Sequence, residues 1–223
     1  MTSREGGREK GEGETLPPIL LRRLGMTGYI PCWEAMQHFT AGRTPETPDE
    51  LWIVEHPPVF TLGQAGKREH LLTDIGLPVV PIDRGGQVTY HGPGQAVVYV
   101  LLDLTRRKLK VRELVHCIEQ AVIDRLAGWG IAAHRQPGAP GVYTGEGEGL
   151  AKIAALGLRI KNGRSYHGVS LNVDMELSPF AAINPCGYEG LAVTQLADFG
   201  VRMDVAAAGE ALAMQLIEEL EKL

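Results

Sequence analysis

The chain has 223 residues, of which 44% are hydrophobic and 22% are charged, so it can bury a sizeable core as one large domain. Its net charge of −5 argues against a general nucleic-acid binder, which usually carries a basic excess. No apolar run approaches the ~20 residues that span a bilayer, and the first residues lack the apolar core of a signal peptide. Three scattered cysteines cannot build a disulfide framework, which suggests a reducing, cytoplasmic setting.

The first half of the chain predicts a polar tail followed by short strands. Residues 1–18 are rich in charge and glycine and predict a disordered tail, whereas residues 19–223 predict one domain. Apolar runs bounded by Gly, Pro and Asp predict strands. The predicted elements are a strand at 19–24, a helix at 29–42, strands at 51–55, 59–62 and 79–82, and a nearly continuous apolar strand at 95–104.

The second half adds two longer helices. Apolar residues at helical spacing predict a helix over 111–128 and another over about 204–221. Further strands are predicted at about 131–134, 141–144, 150–160 and 165–174. This order predicts an α/β protein of the α+β type, in which a mixed β-sheet is covered by helices in a single domain.

A glycine-rich segment, residues 84–95, follows the predicted strand at 79–82. Its four glycines allow backbone amides to approach a ligand closely. It is neither a Walker loop nor a dinucleotide fingerprint. An extended conformation over 87–91 places Gln87, Thr89 and His91 on one face. The alternative is a glycine-rich hairpin with an exposed polar face.

Lys152 lies in an otherwise apolar strand. Regular alternation places it on the same side as Ala154, Leu156 and Leu158. Desolvation of a lysine disfavours its charge and makes it a usable base. The alternative is a lysine at the sheet edge whose amine reaches solvent.

Cys186 is flanked by Pro185 and Gly187 on a predicted turn, where a thiol can be reactive if a cation or base lies nearby. Cys32 and Cys117 fall in helical patterns and are typical of packed core residues. The alternative for Cys186 is an incidental loop cysteine.

The strand at 165–174 alternates polar and apolar residues. It places Tyr166, Gly168, Ser170 and Asn172 on one face, with His167, Val169, Leu171 and Val173 on the other. The small residues leave room for an extended ligand, although an ordinary half-polar strand has the same pattern.

Two further features of the sequence concern metal binding and surface charge. No H-x-H, H-x-x-x-H or C-x-x-C pattern indicates a metal site. Five cationic residues between Arg106 and Arg112 form either a solvated face or a docking surface for an acidic partner.

Taken in order, four segments resemble the lipoyl(octanoyl) transferase family of lipoate biosynthesis. They are RGGQVTYHGPGQ at 84–95, AKIAALGLRI at 151–160, YHGVSLNV at 166–173 and INPCGYEG at 183–190. The resemblance extends from about residue 19 to the end of the chain. The stretch 136–149 falls outside it, and the resemblance implies no role for that stretch in activity.

The resemblance implies a mixed-sheet domain similar to the catalytic domains of biotin and lipoate protein ligases. It also implies a catalytic pair, Cys186 and Lys152, and no metal or cofactor. The implied substrate-binding residues are Arg84, Gly85, Gly86, Gln87, Val88, Thr89, Tyr90, His91, Ala155, Leu156, Gly157, Gly168, Val169 and Ser170.

The implied reaction transfers an octanoyl group from octanoyl-acyl carrier protein to a lysine of an acceptor protein, through a thioester on the cysteine. The implied acceptors are the lipoyl domains of 2-oxoacid dehydrogenase E2 subunits and the H protein of glycine cleavage, with no nucleic acid or membrane as partner. Two alternatives are an ATP-dependent lipoate or biotin ligase on the same fold and a non-catalytic protein that binds the carrier or the lipoyl domain.

Overall fold

A computed structural model of the chain describes residues 16–185 and 190–223. Most of the predicted disordered tail and the predicted nucleophile Cys186 therefore lie outside the described residues. The described residues form three α-helices, namely α1 (Tyr29–Gly42), α2 (Val111–Gly128) and α3 (Val205–Glu221). None of these helices is long and apolar enough to cross a membrane.

Eight strands form the main sheet, which mixes parallel and antiparallel pairs. Seven of them follow the order β1-β2-β6-β10-β9-β8-β7, and β11 pairs with β9. Their bounds are β1 Leu20–Met26, β2 Glu50–Glu55, β6 Gln95–Leu101, β7 His134–Gln136, β8 Ala139–Thr144, β9 Ala151–Lys161, β10 Arg164–Asn172 and β11 Ala192–Val193. The prediction of a mixed sheet covered by helices is confirmed.

A second sheet has three strands in the order β4-β3-β5. These strands are β3 (Val59–Leu62), β4 (Val79–Pro81) and β5 (Val88–His91). The backbone N–H of Gly85 donates to the carbonyl of Leu158 on β9 over 2.9 Å, so the loop before β5 is tied to the main sheet.

Both faces of the main sheet are buried. On one face Val98, Val100 and Leu171 pack with Leu114 of α2 and Leu216 of α3 in the largest core cluster. On the other face, alternate residues of β6 pack against α1. This double burial explains why β6 is an almost uninterrupted apolar run.

Two predicted strand boundaries are wrong. Residues 131–133 are not a strand, because β7 begins only at His134 and Ile131 is a core residue just after α2. The strand predicted over 95–104 ends at Leu101. Beyond it the N–H of Asp103 donates to the carboxylate of Asp49 over 2.8 Å, which takes the backbone out of the regular strand pairing.

The cationic segment between Arg106 and Arg112 contributes to the buried part of the fold. Arg106 and Arg107 place their guanidinium groups 2.7 and 2.6 Å from the buried carboxylate of Asp49. Arg43 of α1's C-terminal cap also contacts Asp49. Because Arg106 and Arg107 are held by this carboxylate, the interpretation of the run as a solvated face or a docking surface is wrong for these two residues.

We expect Asp49→Ala to lower the free energy of unfolding by roughly 3–5 kcal/mol, because it leaves three guanidinium groups without their counter-charge. Urea denaturation measures the change. Asp174→Ala, which removes an exposed partner of Arg202, is the control and is expected to have little effect. Equal losses in the two variants would contradict a structural role for the Asp49 cluster.

Candidate active site

A cavity lies between the main sheet and the small sheet. Its floor is formed by β6, β9 and β10, and its roof by β5 and the loop before it. Twelve predicted substrate-binding residues line it, namely Arg84, Gly86, Gln87, Val88, Thr89, His91, Ala155, Leu156, Gly157, Gly168, Val169 and Ser170. The structure therefore brings together three segments that are far apart in the sequence.

Two predicted binding residues do not line this cavity. Gly85 lies beside it and anchors the loop to β9 through its backbone. The Tyr90 ring packs against Phe60 and Phe180 on the other side of β5. Alternation along β5 explains this, since the neighbours of Tyr90, Thr89 and His91, face the cavity.

Two glycines on adjacent strands have little room for a side chain. Gly157 and Gly168 are paired across β9 and β10. A Cβ atom on Gly168 would lie 2.0 Å from the Val98 carbonyl oxygen, and one on Gly157 would lie 3.0 Å from the Arg84 side chain. Gly168 therefore requires glycine, whereas a Cβ atom at Gly157 would be tightly packed against the loop before β5.

A smaller cavity adjoins the first and holds Lys152. The two cavities share Thr89 and Ala155 as lining residues. Pro185, which immediately precedes Cys186 in the sequence, also lines the smaller cavity. The structure thus brings the described part of the INPCGYEG segment to the same place as Lys152.

The amine of Lys152 is buried and contacts a backbone carbonyl and an aromatic ring. The residue is 3% exposed, and its Nζ donates to the carbonyl of Pro140 over 3.1 Å. Nζ also lies 5.0 Å from the centre of the Tyr143 ring, a cation–π contact. The alternative of an edge lysine that reaches solvent is wrong.

Lys152 does not share a side with Ala154, contrary to the alternation prediction. Lys152 pairs with Tyr143 of β8, whereas Ala154 pairs with the adjacent residue Val142. Tyr143 and Val142 are adjacent in β8 and therefore face opposite sides of the sheet. Their partners, Lys152 and Ala154, face opposite sides as well. Ile153 is the extra residue of a β-bulge, and bulges commonly redirect side chains beside active sites.

His167 departs from alternation in the same way. Its φ is 62°, in the left-handed region that few residues other than glycine adopt. Its ring stacks on that of Tyr166 with centroids 5.1 Å apart, and it lines the cavity. The prediction that His167 shares a face with Val169 and Leu171 is therefore wrong, whereas the face assigned to Tyr166 and Gly168 is confirmed by the packing of β10.

Asp83, which the sequence did not single out, holds His167 in place. Its carboxylate accepts hydrogen bonds from His167 Nε2 over 2.9 Å, from Trp33 Nε1 over 2.8 Å, and from Gln37 and Tyr166. Burial opposes the charge, but these hydrogen bonds hold the pKa of Asp83 well below its usual value. These donors come from α1 and β10, so the cluster forms only in the folded chain.

Two buried histidines lie beside the cavity. Burial lowers the pKa of His56 to about 4 and that of His91 to about 3. His56 Nδ1 donates to the carbonyl of Thr27 over 2.6 Å, and its Nε2 accepts from the Tyr99 hydroxyl over 2.7 Å. His91 stacks on Tyr29 and bonds to Gln95. Tyr29 and Tyr99 were also missed, because isolated tyrosines in a helix and a strand carry no pattern.

The stretch 136–149 has a structural role that the resemblance did not imply. Its strand β8 provides both Pro140 and Tyr143 to Lys152. Gly141 has a φ of 130°, and a Cβ atom there would lie 3.2 Å from Lys152 Nζ. The N–H of Gly141 donates to Glu119 of α2 over 2.9 Å, which holds β8 in this position.

No group of three potential metal ligands occurs among His, Cys, Asp and Glu in residues 16–185 and 190–223.

Comparisons with solved structures place this fold among the lipoate and biotin protein ligases. A bipartite lipoate protein ligase from Thermoplasma acidophilum matches with a TM-score of 0.71 at 17% identity, covering 93% of this chain and 85% of that one. A biotin protein ligase from Aquifex aeolicus matches with a TM-score of 0.55 at 11% identity, covering 91% of this chain and 70% of the ligase. At such identities the likeness shows the fold alone.

The model of the lipoyl protein ligase A/B catalytic domain matches residues 29–217, and the chain belongs to this family. A curated octanoyltransferase from Dechloromonas aromatica is 66% identical over 93% of this chain and 98% of its own length. Another, from Azoarcus sp., is 62% identical over 96% of this chain and 93% of its own length. Within the family the chain is therefore an acyltransferase, and the predicted resemblance is confirmed.

We expect Gly141→Ala to displace the amine of Lys152, because the added Cβ atom meets Lys152 and the Ala154 carbonyl oxygen, which would be 2.7 Å away. Amine-modifying reagents should label Lys152 several-fold faster, as read by peptide mass spectrometry. Gly149→Ala is the matched control, since a Cβ there meets nothing within 4 Å. Unchanged labelling in Gly141→Ala would show that β8 does not restrain the lysine.

We expect stability to fall as the pH is lowered from about 8 to about 5. The pKa values of His56 and His91 are lower in the folded chain, so the unfolded chain binds more protons in this window, which costs roughly 2 kcal/mol per histidine. Urea denaturation at a series of pH values measures this. His91→Gln should reduce the slope and the exposed-residue variant His38→Gln should not; identical slopes in all three proteins would refute the assignment.

Proposed function

We propose that this protein transfers an octanoyl group from octanoyl-acyl carrier protein to a lysine of lipoyl domains, with Cys186 as the acyl-carrying nucleophile and Lys152 as its partner. One observation carries the proposal: a β-bulge directs a buried lysine into the cavity that Pro185 lines, one residue before Cys186. The octanoyltransferases that resemble this chain over more than 90% of its length support the same reaction.

The first step is a thioester exchange. The Cys186 sulfur attacks the acyl carbon, a new carbon–sulfur bond forms, and the bond to the carrier's sulfur breaks. The cationic amine of Lys152 favours the thiolate form of the nucleophile, and it then gives its proton to the departing thiolate of the carrier, which leaves Lys152 neutral. One thioester replaces another, so this step needs no ATP.

The second step forms an amide. The neutral ε-amine of the acceptor lysine attacks the acyl-Cys186 carbon, a carbon–nitrogen bond forms, and the Cys186 thiolate leaves. The attacking nitrogen becomes positively charged as this bond forms, and it must lose a proton to give the neutral amide. Lys152, in its neutral form, receives that proton and passes it to the leaving thiolate.

The main cavity suits the acyl chain. Its floor along Ala155, Gly157 and Gly168 lacks large side chains, and its walls include Val88 and Val97. The chain would run along β9, away from Lys152. The acceptors on this proposal are the lipoyl domains of 2-oxoacid dehydrogenase E2 subunits and the H protein.

Two other functions are less well supported. An ATP-dependent ligase shares the fold, but it forms an acyl-adenylate and does not need a nucleophilic cysteine beside Lys152. A non-catalytic binding protein would have no use for a buried ammonium group, whose desolvation is costly. Transfer in the absence of ATP separates the first alternative, and a covalent intermediate separates the second.

We expect intact-mass analysis after incubation with octanoyl-acyl carrier protein to show the gain of one octanoyl group. Cys186→Ala should abolish this gain. Cys32→Ala is the control and should retain it, because burial raises the pKa of the Cys32 thiol to about 12. The same result is expected for Cys117, whose thiol pKa is also raised to about 12. No gain in the wild-type protein would refute the proposal.

Lys152→Met should slow both steps, by on the order of 100-fold for the loss of a proton-transferring group. Single-turnover mixing of pre-acylated enzyme with a lipoyl domain, without ATP, measures the second step alone. Lys161→Met, at the exposed end of β9, is the control. Full activity of Lys152→Met in both steps would remove Lys152 from the mechanism.

A further inference from the structure

Two buried hydrogen-bond acceptors on residues of the main cavity are satisfied by no described residue. They are Nδ1 of His167 and Oε1 of Gln87, and both residues line the cavity. Buried polar atoms are rarely left without a partner, and such an atom in a cavity wall points to a ligand that supplies one. His167 is 1% exposed and is held in a left-handed backbone conformation, a strain common at functional sites.

The contacts of Asp83 determine which nitrogen of His167 is available. The Asp83 carboxylate accepts a hydrogen bond from Nε2, so the ring proton resides there. Trp33, Gln37 and Tyr166 also donate to this carboxylate and keep it ionised. Nδ1 of the neutral ring therefore carries no proton and can only accept a hydrogen bond. A ligand atom that meets it must be a donor.

The distance along the sheet identifies the part of the substrate that reaches this point. Ala155 is shared with the Lys152 cavity, and His167 pairs with Leu158, three residues further along β9. At ~3.3 Å per residue this is about 10 Å. Seven carbon–carbon bonds of about 1.5 Å in an extended zigzag cover about 9 Å. An eight-carbon chain whose carbonyl lies over Ala155 therefore ends beside His167.

We propose that His167 and Gln87 form a subsite for the distal end of the acyl chain, and that the enzyme also transfers medium-chain acyl groups with a terminal hydroxyl. This inference rests on the proposed acyl transfer and adds a second substrate class to it. A terminal methyl group leaves both acceptors unpaired. A hydroxyl at the eighth carbon donates to Nδ1 of His167, whereas an entirely apolar cavity end would exclude it at the cost of its desolvation.

The test compares octanoyl and 8-hydroxyoctanoyl thioesters of the same carrier protein. For each enzyme the ratio of the two kcat/KM values is measured, because this ratio does not depend on the fraction of folded enzyme. The wild type should use the hydroxylated chain at least as well as octanoyl. His167→Phe should lower the ratio about tenfold, the effect of one lost hydrogen bond to a buried group. His38→Gln, which replaces an exposed histidine away from the cavity, should leave the ratio unchanged.

Two results would overturn the subsite: a wild type that prefers octanoyl tenfold or more, or a ratio that His167→Phe does not change. Calorimetric binding of octanoate and 8-hydroxyoctanoate separates this failure from failure of the proposed function. If transfer is absent but His167→Phe selectively weakens binding of the hydroxylated acid, the subsite stands and the transferase proposal falls. If transfer occurs and neither measurement distinguishes the two chains, only the subsite falls.

Discussion

The structure depends on a sheet that is buried on both faces and must still present polar groups to a ligand. One face packs on α2 and α3 and is entirely apolar at its centre. The other packs on α1 and also holds the cavity. Burial of polar side chains on such a surface is costly unless each one is paired. The candidate site is arranged largely so that its buried polar side chains have partners.

Two local departures from strand geometry place the principal polar groups. The bulge at Ile153 turns Lys152 toward β8 and away from the apolar core. The left-handed conformation of His167 turns its ring toward Asp83. Without them, regular alternation would direct both side chains into the core formed by α2 and α3. Each departure is compensated by specific partners, Pro140 and Tyr143 in one case and Asp83 in the other.

The fold is shared with ligases, so it cannot by itself decide the reaction. The chain's family membership and its close octanoyltransferase relatives narrow the chemistry to acyl transfer. The geometry adds that Lys152 is enclosed by β8. This strand lies in the stretch 136–149, for which the family resemblance implies no role. The geometry also adds that the guanidinium groups of Arg106 and Arg107 pair with the buried carboxylate of Asp49.

The sequence determined the elements that depend on short-range pattern. The helix at 111–128 was predicted to the residue, because its apolar spacing and terminal glycines are local signals. The segments at 84–91, 155–157 and 168–170, which the family resemblance links, each contribute residues to one cavity. Their meeting in one cavity follows from strand order.

Only the tertiary structure decided the directions of the polar side chains. Lys152 and His167 were assigned to the wrong faces, since alternation assumes a regular strand and neither a bulge nor a left-handed residue leaves a mark in one sequence. Asp83 binds partners that are 46 to 84 residues away in the sequence. Gly141 contacts Lys152 on the adjoining strand. Such contacts exist only once the chain has folded, because they join residues on different elements of the structure.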